Sequence, residues 1–567
     1  MKPIFPLLST VLFSSLAALH AADSVANLHP YVTAGDPNIG RAFRIAVGDI
    51  GSSVVPMAAA TTLLNCPLNA KRWETVSAQV VEVAGTREVI PERPCCLTAG
   101  LDYGLFQLDV MMHGWDGASF LSAEAVKGEL LANLLIGENG RIRSGDLNTG
   151  LGWSIGAWEY YLCTGDRPFL KVALAATLGA IEEFERDEFD PESGLFRGPA
   201  ILCDGLSSYP DSWAKDMAGK GHIAKWPAAH PDKKVSVGHG LPMHAISTQC
   251  INYQVYLIAA RMQRELGLPL DPTLEQKAAR LKAAINSRFW LEDAGFYRFL
   301  VDPFGGSDQQ HGLGNACAIL FGVASPEQSR RVLAGMHITP QGIPIDWPVF
   351  PRYASPDSAT YGNHNGTILP LVSGLWSQAA AKNGRIDLFA LELKKHADRA
   401  CRDNQFAEIY HPTTGEIYGG IQEGMTGRGG KSMKAFVAAR VGGDGELTPE
   451  NKLKLFPPVE GKEGMQLWQA CGRQVMSATA YVRMVLQGLC GIHLDTEGLT
   501  FHPTVPKGMS PVAVYELPYR QAELEIHITG EGNVVKKLTV NGQEARTIPT
   551  TATGKQVVRI EMAEANK

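Results

Sequence analysis

Apolar residues recur with helical spacing through the central part of the chain. Between residues 123 and 136 they follow one another three or four positions apart, as on one face of a helix. The loops that separate such segments are longer than a plain bundle needs, which is typical of functional loops. Helices in succession with few strands favour paired helices that close on themselves. The same spacing predicts further helices over 155–163, 169–184, 241–266, 274–289, 316–323, 326–336, 369–382, 388–401 and 475–489.

The spacing of apolar residues changes towards both ends of the chain. After Gly491, apolar and polar residues alternate between glycine turns, which predicts a small antiparallel β domain. The stretch before the helices is mixed, and segments 42–50 and 76–83 look like strands. We therefore predict four successive parts: an N-terminal leader, a lead-in segment of low regularity, a helical domain and a β domain. They cover residues 1–22, 23–94, 95–490 and 491–567.

The N-terminus has the pattern of a secretory signal peptide. Lys2 supplies a positive charge, residues 4–19 are mostly apolar, and small residues follow at Ala21 and Ala22. No other run of about 18 apolar residues occurs, so no membrane span is predicted. We expect cleavage after residue 21 or 22 and export to the periplasm or the cell exterior.

The composition and charge of the chain exclude some classes of binding partner. The 567 residues are 45% hydrophobic and 19% charged, which is typical of a globular protein with a large core. The formal net charge of −6 offers no concentrated positive face for nucleic acid or an anionic membrane. The ten cysteines form no C-x-x-C pair, and no spaced set of histidines and carboxylates occurs. We therefore predict neither a metal nor a cofactor, and the oligomeric state stays open.

One loop combines a carboxylate with features that suit acid catalysis. Asp204 and Gly205 end a mainly apolar run and are followed by two serines and Tyr209. A carboxylic acid near an aromatic wall can have a raised pKa and donate a proton. An Asp-Gly pair is also a common surface turn. The residues of this loop alone leave both interpretations open.

Several phrases spread over residues 95–560 resemble the six-hairpin glycosidases. This resemblance implies a mainly α fold, an (α/α)6 toroid of paired helices with a small C-terminal β-sandwich. It also implies hydrolysis of a glycosidic bond, with release of a terminal sugar from an oligosaccharide or glycan; the subfamily and the sugar stay open. The phrases are A-G-L-D-Y-G at 99–104, Y-Y-L-C-T-G-D-R-P-F-L at 160–170, G-L-F-R-G-P at 194–199, Y-G-N-H-N-G-T-I-L-P at 361–370, F-A-E-I-Y-H-P-T-T-G at 406–415 and M-S-A-T-A-Y at 476–481.

The resemblance also implies the catalytic roles. Glycoside cleavage needs an acid for the leaving oxygen and a second carboxylate. In an inverting scheme, Asp204 fits the acid and Glu408 fits the base, and Glu423 competes for the base role. Relatives often carry an aromatic-x-Arg-Asp phrase before the first barrel helix, where the Asp holds a sugar hydroxyl. Here Asp109 follows F-Q-L without the arginine, and the phrase H-G-W-D-G, which contains Asp116, is the alternative.

Further residues are candidates for holding the sugar. We predict that Trp115 and the two aspartates share one rim of the barrel with Asp204. Exposed rings can stack on the apolar face of a pyranose, although any single ring can equally belong to the core. His364, in N-H-N-G, can bind hydroxyls or serve as a structural histidine. Glu423 is a further candidate for binding the sugar, and the other candidate rings are Tyr209, Trp347, Tyr361 and Trp468.

Two other functions fit parts of the pattern. A polysaccharide lyase on a helical toroid would need a Tyr or His base and groups that neutralise a uronate, for which Tyr361, Asn363 and His364 are available. A carbohydrate-binding protein without catalysis is the second alternative. The presence of both Asp204 and Glu408 argues against that second alternative.

Overall fold

The computed structural model describes most of the chain after residue 28. The described residues are 29–57, 71–72, 79–83, 86–90, 94–100, 104–105, 107–136, 142–144, 151–203, 205–217, 221–233, 240–305, 307–354, 360–423, 437–438 and 440–563. The helices are Pro37–Ser52 (α1), Gln107–Trp115 (α2), Ser119–Ala132 (α3), Trp153–Thr164 (α4), Arg167–Asp187 (α5), Asp211–Asp216 (α6), Trp226–Ala229 (α7), Ile246–Leu266 (α8), Pro272–Phe289 (α9), Gly312–Leu320 (α10), Pro326–Gly335 (α11), Pro370–Lys382 (α12), Ile386–Asp403 (α13), Pro449–Leu455 (α14) and Val475–Arg483 (α15). A π-helical turn, Met484–Leu489, continues α15.

Six of these helices form a closed ring. Around the ring, α2 contacts α4, α4 contacts α8, and α10, α12 and α15 follow in turn until α15 meets α2 again. Outside the ring, α3, α5, α9, α13 and α1 each pack on one or two ring helices. The chain is therefore mainly helical, and this ring with its outer layer is consistent with the predicted (α/α)6 toroid.

The helix α1 corrects the interpretation of the N-terminal segment. Residues 42–50 looked like a strand, but they lie inside this helix. The start of the helix is well marked, because the side chain of Asp36 accepts a hydrogen bond from the backbone of Asn38 at 3.0 Å, and Pro37 occupies the first turn. Its apolar residues face inward at helical spacing, and α1 packs on α13 and α15. The segment before residue 95 is thus more than a lead-in, since it supplies part of the outer layer.

The end of the chain is built of strands, as its alternating pattern predicted. A six-stranded sheet has the order Tyr31–Thr33, Val512–Tyr519, Gln521–Thr529, Thr553–Ala563, Val534–Val540 and Gln543–Glu544. The pair formed by Gln521–Thr529 and Thr553–Ala563 is parallel, so the prediction of a purely antiparallel domain is wrong. The strand Tyr31–Thr33 also shows that the N-terminal segment joins this sheet. A second sheet contains Ile492–Leu494, Gly498–Phe501 and Thr547–Pro549.

Short strands connect the helices. They are Val54–Pro56, Lys71–Arg72, Gln79–Val83, Thr86–Ile90, Cys95–Leu97, Leu135–Ile136, Ile142–Arg143, Phe189–Asp190, Leu195–Phe196, His244–Ala245, Trp290–Leu291, Phe296–Val301, Ser307–His311, Asp346–Trp347, Ile421–Glu423 and Met465–Leu467. One hydrophobic core runs from the helical ring into the terminal sheets. Within the described ranges, no helix is long and apolar enough to cross a membrane.

The six ring helices run in the same direction, so one end of the ring holds their C-terminal halves and the other their N-terminal ends. The C-terminal halves of all six ring helices surround a cavity of about 930 Å³, which the residues that lead into the terminal sheets also line. The N-terminal ends of the same helices therefore lie at the opposite end of the ring. Segment 361–370 leads into the N-terminal end of α12, and segments 194–199 and 406–415 lie in the long connections before α8 and α15.

Candidate active site

The loop around position 204 is anchored on both sides. Asp204 itself lies outside the described residues. The hydroxyl of Tyr209 donates to the carbonyl of Cys203 at 2.7 Å and accepts from the amide of Ala200 at 3.1 Å. The ring of Tyr209 is fully buried, so the prediction that it stacks on a sugar is wrong. Leu202 has a φ of 64°, a left-handed conformation that a branched side chain rarely adopts and that is common at functional sites.

A buried arginine that the sequence analysis did not single out holds the following turn. Nη2 of Arg352 donates to the carbonyl oxygens of Leu206 at 3.0 Å and Tyr209 at 2.7 Å. Nη1 of the same guanidinium donates to Asp211 at 2.6 Å, and Nε donates to Glu423 at 2.7 Å. Arg352 lies outside the phrases that resemble the six-hairpin glycosidases. In the sequence it is noticeable only as a charged residue between Phe350-Pro351 and Tyr353.

The same arrangement determines the hydrogen-bond partners of Glu423. Its carboxylate accepts hydrogen bonds from Arg352 and from the hydroxyl of Tyr353, with the Tyr353 contacts at 2.5 and 2.6 Å. Burial and the charge of Glu423 raise the pKa of Tyr353 well above its usual value, so the phenol remains a donor. Glu423 therefore serves as the partner of an arginine and a tyrosine, which disfavours it as a catalytic base.

Glu408 lies in a loop that the backbone holds at both ends. Its amide donates to the carbonyl of Cys471 at 3.0 Å, and its Oε2 accepts from the amide of Cys471 at 2.9 Å. Two residues earlier, the amide of Phe406 donates to Asp49 of α1 at 2.8 Å. The side chain is half-buried, and its Oε2 has a fixed backbone donor.

Asp109 is the neighbour of Glu408 at this end of the ring. It lies in the first turn of α2 and accepts from Nε2 of Gln474, which precedes α15, at 3.1 Å. Burial raises the pKa of Asp109 to about 7; His113 lowers it, and the charges of Glu408 and Glu129 raise it. The structure thus places one predicted sugar-binding carboxylate beside the predicted base.

Segment 364–368 links the loop around position 204 to the loop of Glu408. Nδ1 of His364 and the hydroxyl of Ser208 form a hydrogen bond of 3.1 Å. Four residues further on, the backbones of Ile368 and Tyr410 exchange hydrogen bonds of 3.0 and 2.9 Å. His364 is 8% exposed, so its contact with Ser208 makes it part of the wall between the two loops.

Trp115 and Asp116 lie at the other end of the ring. Asp116 accepts from Nη1 of Arg483 at 2.9 Å, and the guanidinium lies 4.8 Å from the centre of the Trp115 ring. Trp115 borders the cavity between the C-terminal halves of the ring helices. Seven residues of helix separate Asp116 from Asp109, about 10 Å along the axis. The prediction that all three residues share one rim is therefore wrong for Trp115 and Asp116.

The remaining aromatic candidates mainly pack against other rings. Trp347 stacks on His337 with centroids 4.0 Å apart, and it remains partly exposed. Tyr361 is also partly exposed and meets His411 edge-on at 5.1 Å. Trp468 is 5% exposed and stacks on Phe456, so it is a core ring. Trp347 and Tyr361 keep surface that a sugar could cover.

The described residues offer no centre for a metal ion. Their histidines, cysteines and carboxylates form no group of three or more with the geometry to bind one.

Comparison with known proteins gives the class. Residues 153–431 match the model of the mannosylglycerate hydrolase MGH1-like glycoside hydrolase domain. A solved structure named sialidase shares 12% identity and a TM-score of 0.56, over 95% of this chain and 42% of that one. The chain thus spans less than half the length of that sialidase, and the similarity shows the fold alone.

Another solved structure is the GH63 mannosylglycerate hydrolase from Thermus thermophilus in complex with glucose. It shares 14% identity and a TM-score of 0.43, over 61% of this chain and 95% of that one. No curated protein sequence matches the chain.

The family match makes residues 153–431 similar to a glycoside hydrolase domain. This match agrees with the resemblance to the six-hairpin glycosidases that the phrases in the sequence carry.

Proposed function

We propose that the protein is an exported hydrolase that removes a terminal sugar from an oligosaccharide or glycan with inversion of configuration. In this scheme Asp204 protonates the leaving oxygen, and Glu408 takes a proton from the attacking water. The observation that carries the proposal is the position of Glu408: it is half-buried, tied to Cys471, and linked through segment 364–368 to the loop around position 204.

The surroundings of the two carboxylates suit their different tasks. Glu408 must be ionised to activate water, and the amide of Cys471 stabilises that form. Asp204 must be protonated to donate; Cys203, which precedes it in the chain, and Tyr209, five residues after it, are both fully buried. An inverting pair lies roughly 6.5 to 9.5 Å apart to admit the water, whereas a retaining pair lies about 5 Å apart.

The finer features of the fold belong to the same proposal. The closed ring of six helices with its outer layer supports an (α/α)6 toroid, and the sheets after Gly491 support a C-terminal β-sandwich. Export is supported by the charged, apolar and small residues in order at the N-terminus. The name of the matching family model favours a small glycoside of an organic acid as a first substrate to assay.

A panel of chromogenic glycosides and natural glycans, assayed with Asp204→Asn and Glu408→Gln, tests the proposal. Each variant should lose about a hundredfold or more in kcat, the size expected for loss of general acid or base help. Asp204→Asn should lose less on activated leaving groups, which need little protonation.

Glu423→Gln is the matched control, and its kcat should fall less than that of Glu408→Gln. An inactive Glu423→Gln beside an active Glu408→Gln would move the base to Glu423. Release of an unsaturated product that absorbs in the ultraviolet would instead indicate a lyase.

A further inference from the structure

We propose that Arg352 is a positioning residue that holds the general acid Asp204 in its working place. The proposal rests on the assignment of Asp204 as the acid. Arg352 acts through the backbone of the turn that follows Asp204, and it has no role in binding the sugar. The evidence is the set of groups that its guanidinium joins.

All three nitrogens of the Arg352 guanidinium are engaged. Nη2 holds two carbonyl oxygens of the turn, those of Leu206 and Tyr209, at 3.0 and 2.7 Å. Nη1 and Nε hold Asp211 and Glu423. The side chain is only 10% exposed, so these hydrogen bonds are formed largely out of water, where they are strong.

The part of the chain that precedes Asp204 is anchored independently. The hydroxyl of Tyr209 joins Ala200 and Cys203, and Ile201 donates its amide to Ser247 of α8 at 3.1 Å. On the other side, the amide of Leu206 donates to the carbonyl of Gly221 at 2.9 Å. The backbone is therefore fixed on both sides of position 204, and Arg352 bonds the second of these segments at two carbonyl groups.

Charge makes the arginine hard to replace. One guanidinium faces the carboxylates of Asp211 and Glu423, and it stacks over the ring of Tyr353 at 4.3 Å. Without it, the buried carboxylate of Glu423 would lose its charge partner, which is unfavourable. A lysine would keep the charge but lose the planar fork that joins carboxylates and carbonyls at once. The turn would then be free to shift, and a displacement of about 1 Å can cost about a hundredfold in rate.

The dependence of the rate on the leaving group tests this role. Dinitrophenyl, nitrophenyl and phenyl glycosides of the accepted sugar need increasing help from the acid. Arg352→Lys should lose about tenfold or more in kcat on the phenyl glycoside and much less on the dinitrophenyl glycoside, with KM nearly unchanged, because only proton donation is impaired. The dependence of kcat on the leaving group thus becomes steeper in Arg352→Lys. Asp204→Asn should make it steeper still.

Arg483→Lys is the matched control. Arg483 is also buried, pairs with one carboxylate and lies over one aromatic ring, but at the opposite end of the ring of helices. It should lower thermal stability and leave the leaving-group dependence as in the wild type. If Arg352→Lys fails to fold, Asp211→Asn removes the negative charge of one partner of the guanidinium at a 30% exposed position and should steepen the dependence in the same direction.

The outcomes separate the two claims. A wild-type leaving-group dependence in Arg352→Lys, or in Asp211→Asn where the first does not fold, would overturn the positioning role while Asp204→Asn still supports the acid. A wild-type dependence in Asp204→Asn would remove the acid assignment itself. A steepening shared by Arg483→Lys would show a general effect of instability and would also overturn the positioning role.

Discussion

At the scale of single residues, the carboxylates at the N-terminal end of the ring differ in their surroundings. Asp109 and Glu408 lie together at the N-terminal ends of the ring helices, and Glu423 is neutralised by Arg352. The same kind of side chain therefore has different roles here, and its surroundings decide which one. Burial without a cation raises the pKa of Asp109 to about 7, whereas a guanidinium gives Glu423 a fixed charge partner.

Asp109→Asn should make the protein relatively more stable as the pH rises. The pKa of Asp109 is about 7 in the folded protein against 3.8 ordinarily, so the stability it contributes is present below about pH 4 and is lost as the pH rises through 7. The asparagine cannot ionise, and it keeps the acceptor for Gln474. The difference in Tm between the variant and the wild type should therefore shift in favour of the variant between about pH 5 and pH 8, as measured by scanning calorimetry.

Asp387→Asn provides the control for this experiment. Arg385 lowers the pKa of this exposed carboxyl below its usual value, so it is ionised at both pH values. Its Tm difference should be the same at both ends of the pH range. If the Tm difference between Asp109→Asn and the wild type were also the same at both pH values, the raised pKa of Asp109 would be contradicted.

Sequence reasoning singled out some residues at this end of the ring and did not notice others, for physical reasons. Glu408 was found because a phrase surrounds it, and Asp109 because it precedes a strong helix. Trp115 and Asp116 were misplaced because they lie close to Asp109 in the sequence. The helix α2 runs from one end of the ring to the other between them, and the sequence alone does not show where that helix begins and ends. Arg352 was missed because its partners come from separate parts of the chain, which no local pattern brings together.

At the scale of elements, α1 connects the N-terminal segment to the loop of Glu408. Asp49 in this helix is 4% exposed and accepts the amide of Phe406 at 2.8 Å, two residues before Glu408. Burial raises the pKa of Asp49 to about 7, against the effects of this hydrogen bond and of Arg473. A helix at the start of the chain thereby helps to fix a loop that lies 357 residues later.

Asp49→Ala should reduce both stability and kcat. The change leaves the buried amide of Phe406 without its acceptor, at a cost of about 1 to 3 kcal/mol, and frees the loop that carries the base. Asp49→Asn keeps an acceptor and should lie close to the wild type in both measurements. Urea denaturation and steady-state kinetics of the two variants check this; equal losses in both would show that charge matters and the hydrogen bond does not.

The elements that were predicted well are those with a sustained period. The strand Val534–Val540 and the helix beginning at Pro326 match their predicted starts, because turn residues and caps mark them. The helix α1 was misread because Phe43, Ile45 and Val47 alternate as in a strand. Asp36 and Pro37 were the signals of a helix start, and they outweigh the alternation once the inward face of α1 is counted.

At the scale of the whole molecule, the N-terminal segment meets the C-terminal sheet. The strand Tyr31–Thr33 pairs with Val512–Tyr519, and one hydrophobic core joins the helical ring to the sheets. The sequence predicted the switch from helices to strands near Gly491 because the period changes there. It did not predict the N-terminal strand, since three residues are too few to show a period.

Export predicts a mature protein that begins at Ala22 or Asp23. N-terminal sequencing of the protein from its native cell measures this directly. Leu12→Arg, which interrupts the apolar stretch, should leave the precursor uncleaved in the cytoplasm. A mature protein that still carries Met1 would contradict export.

The configuration of the first sugar released tests the central claim most directly. Proton NMR, recorded within the first turnovers on a glycoside that the enzyme accepts, resolves the anomeric proton of the product before it equilibrates in water. Asp204 and Glu408 acting as acid and base on either side of the anomeric centre predict that the product has the opposite anomeric configuration to the substrate. A product of retained configuration would mean a covalent intermediate and would contradict the account.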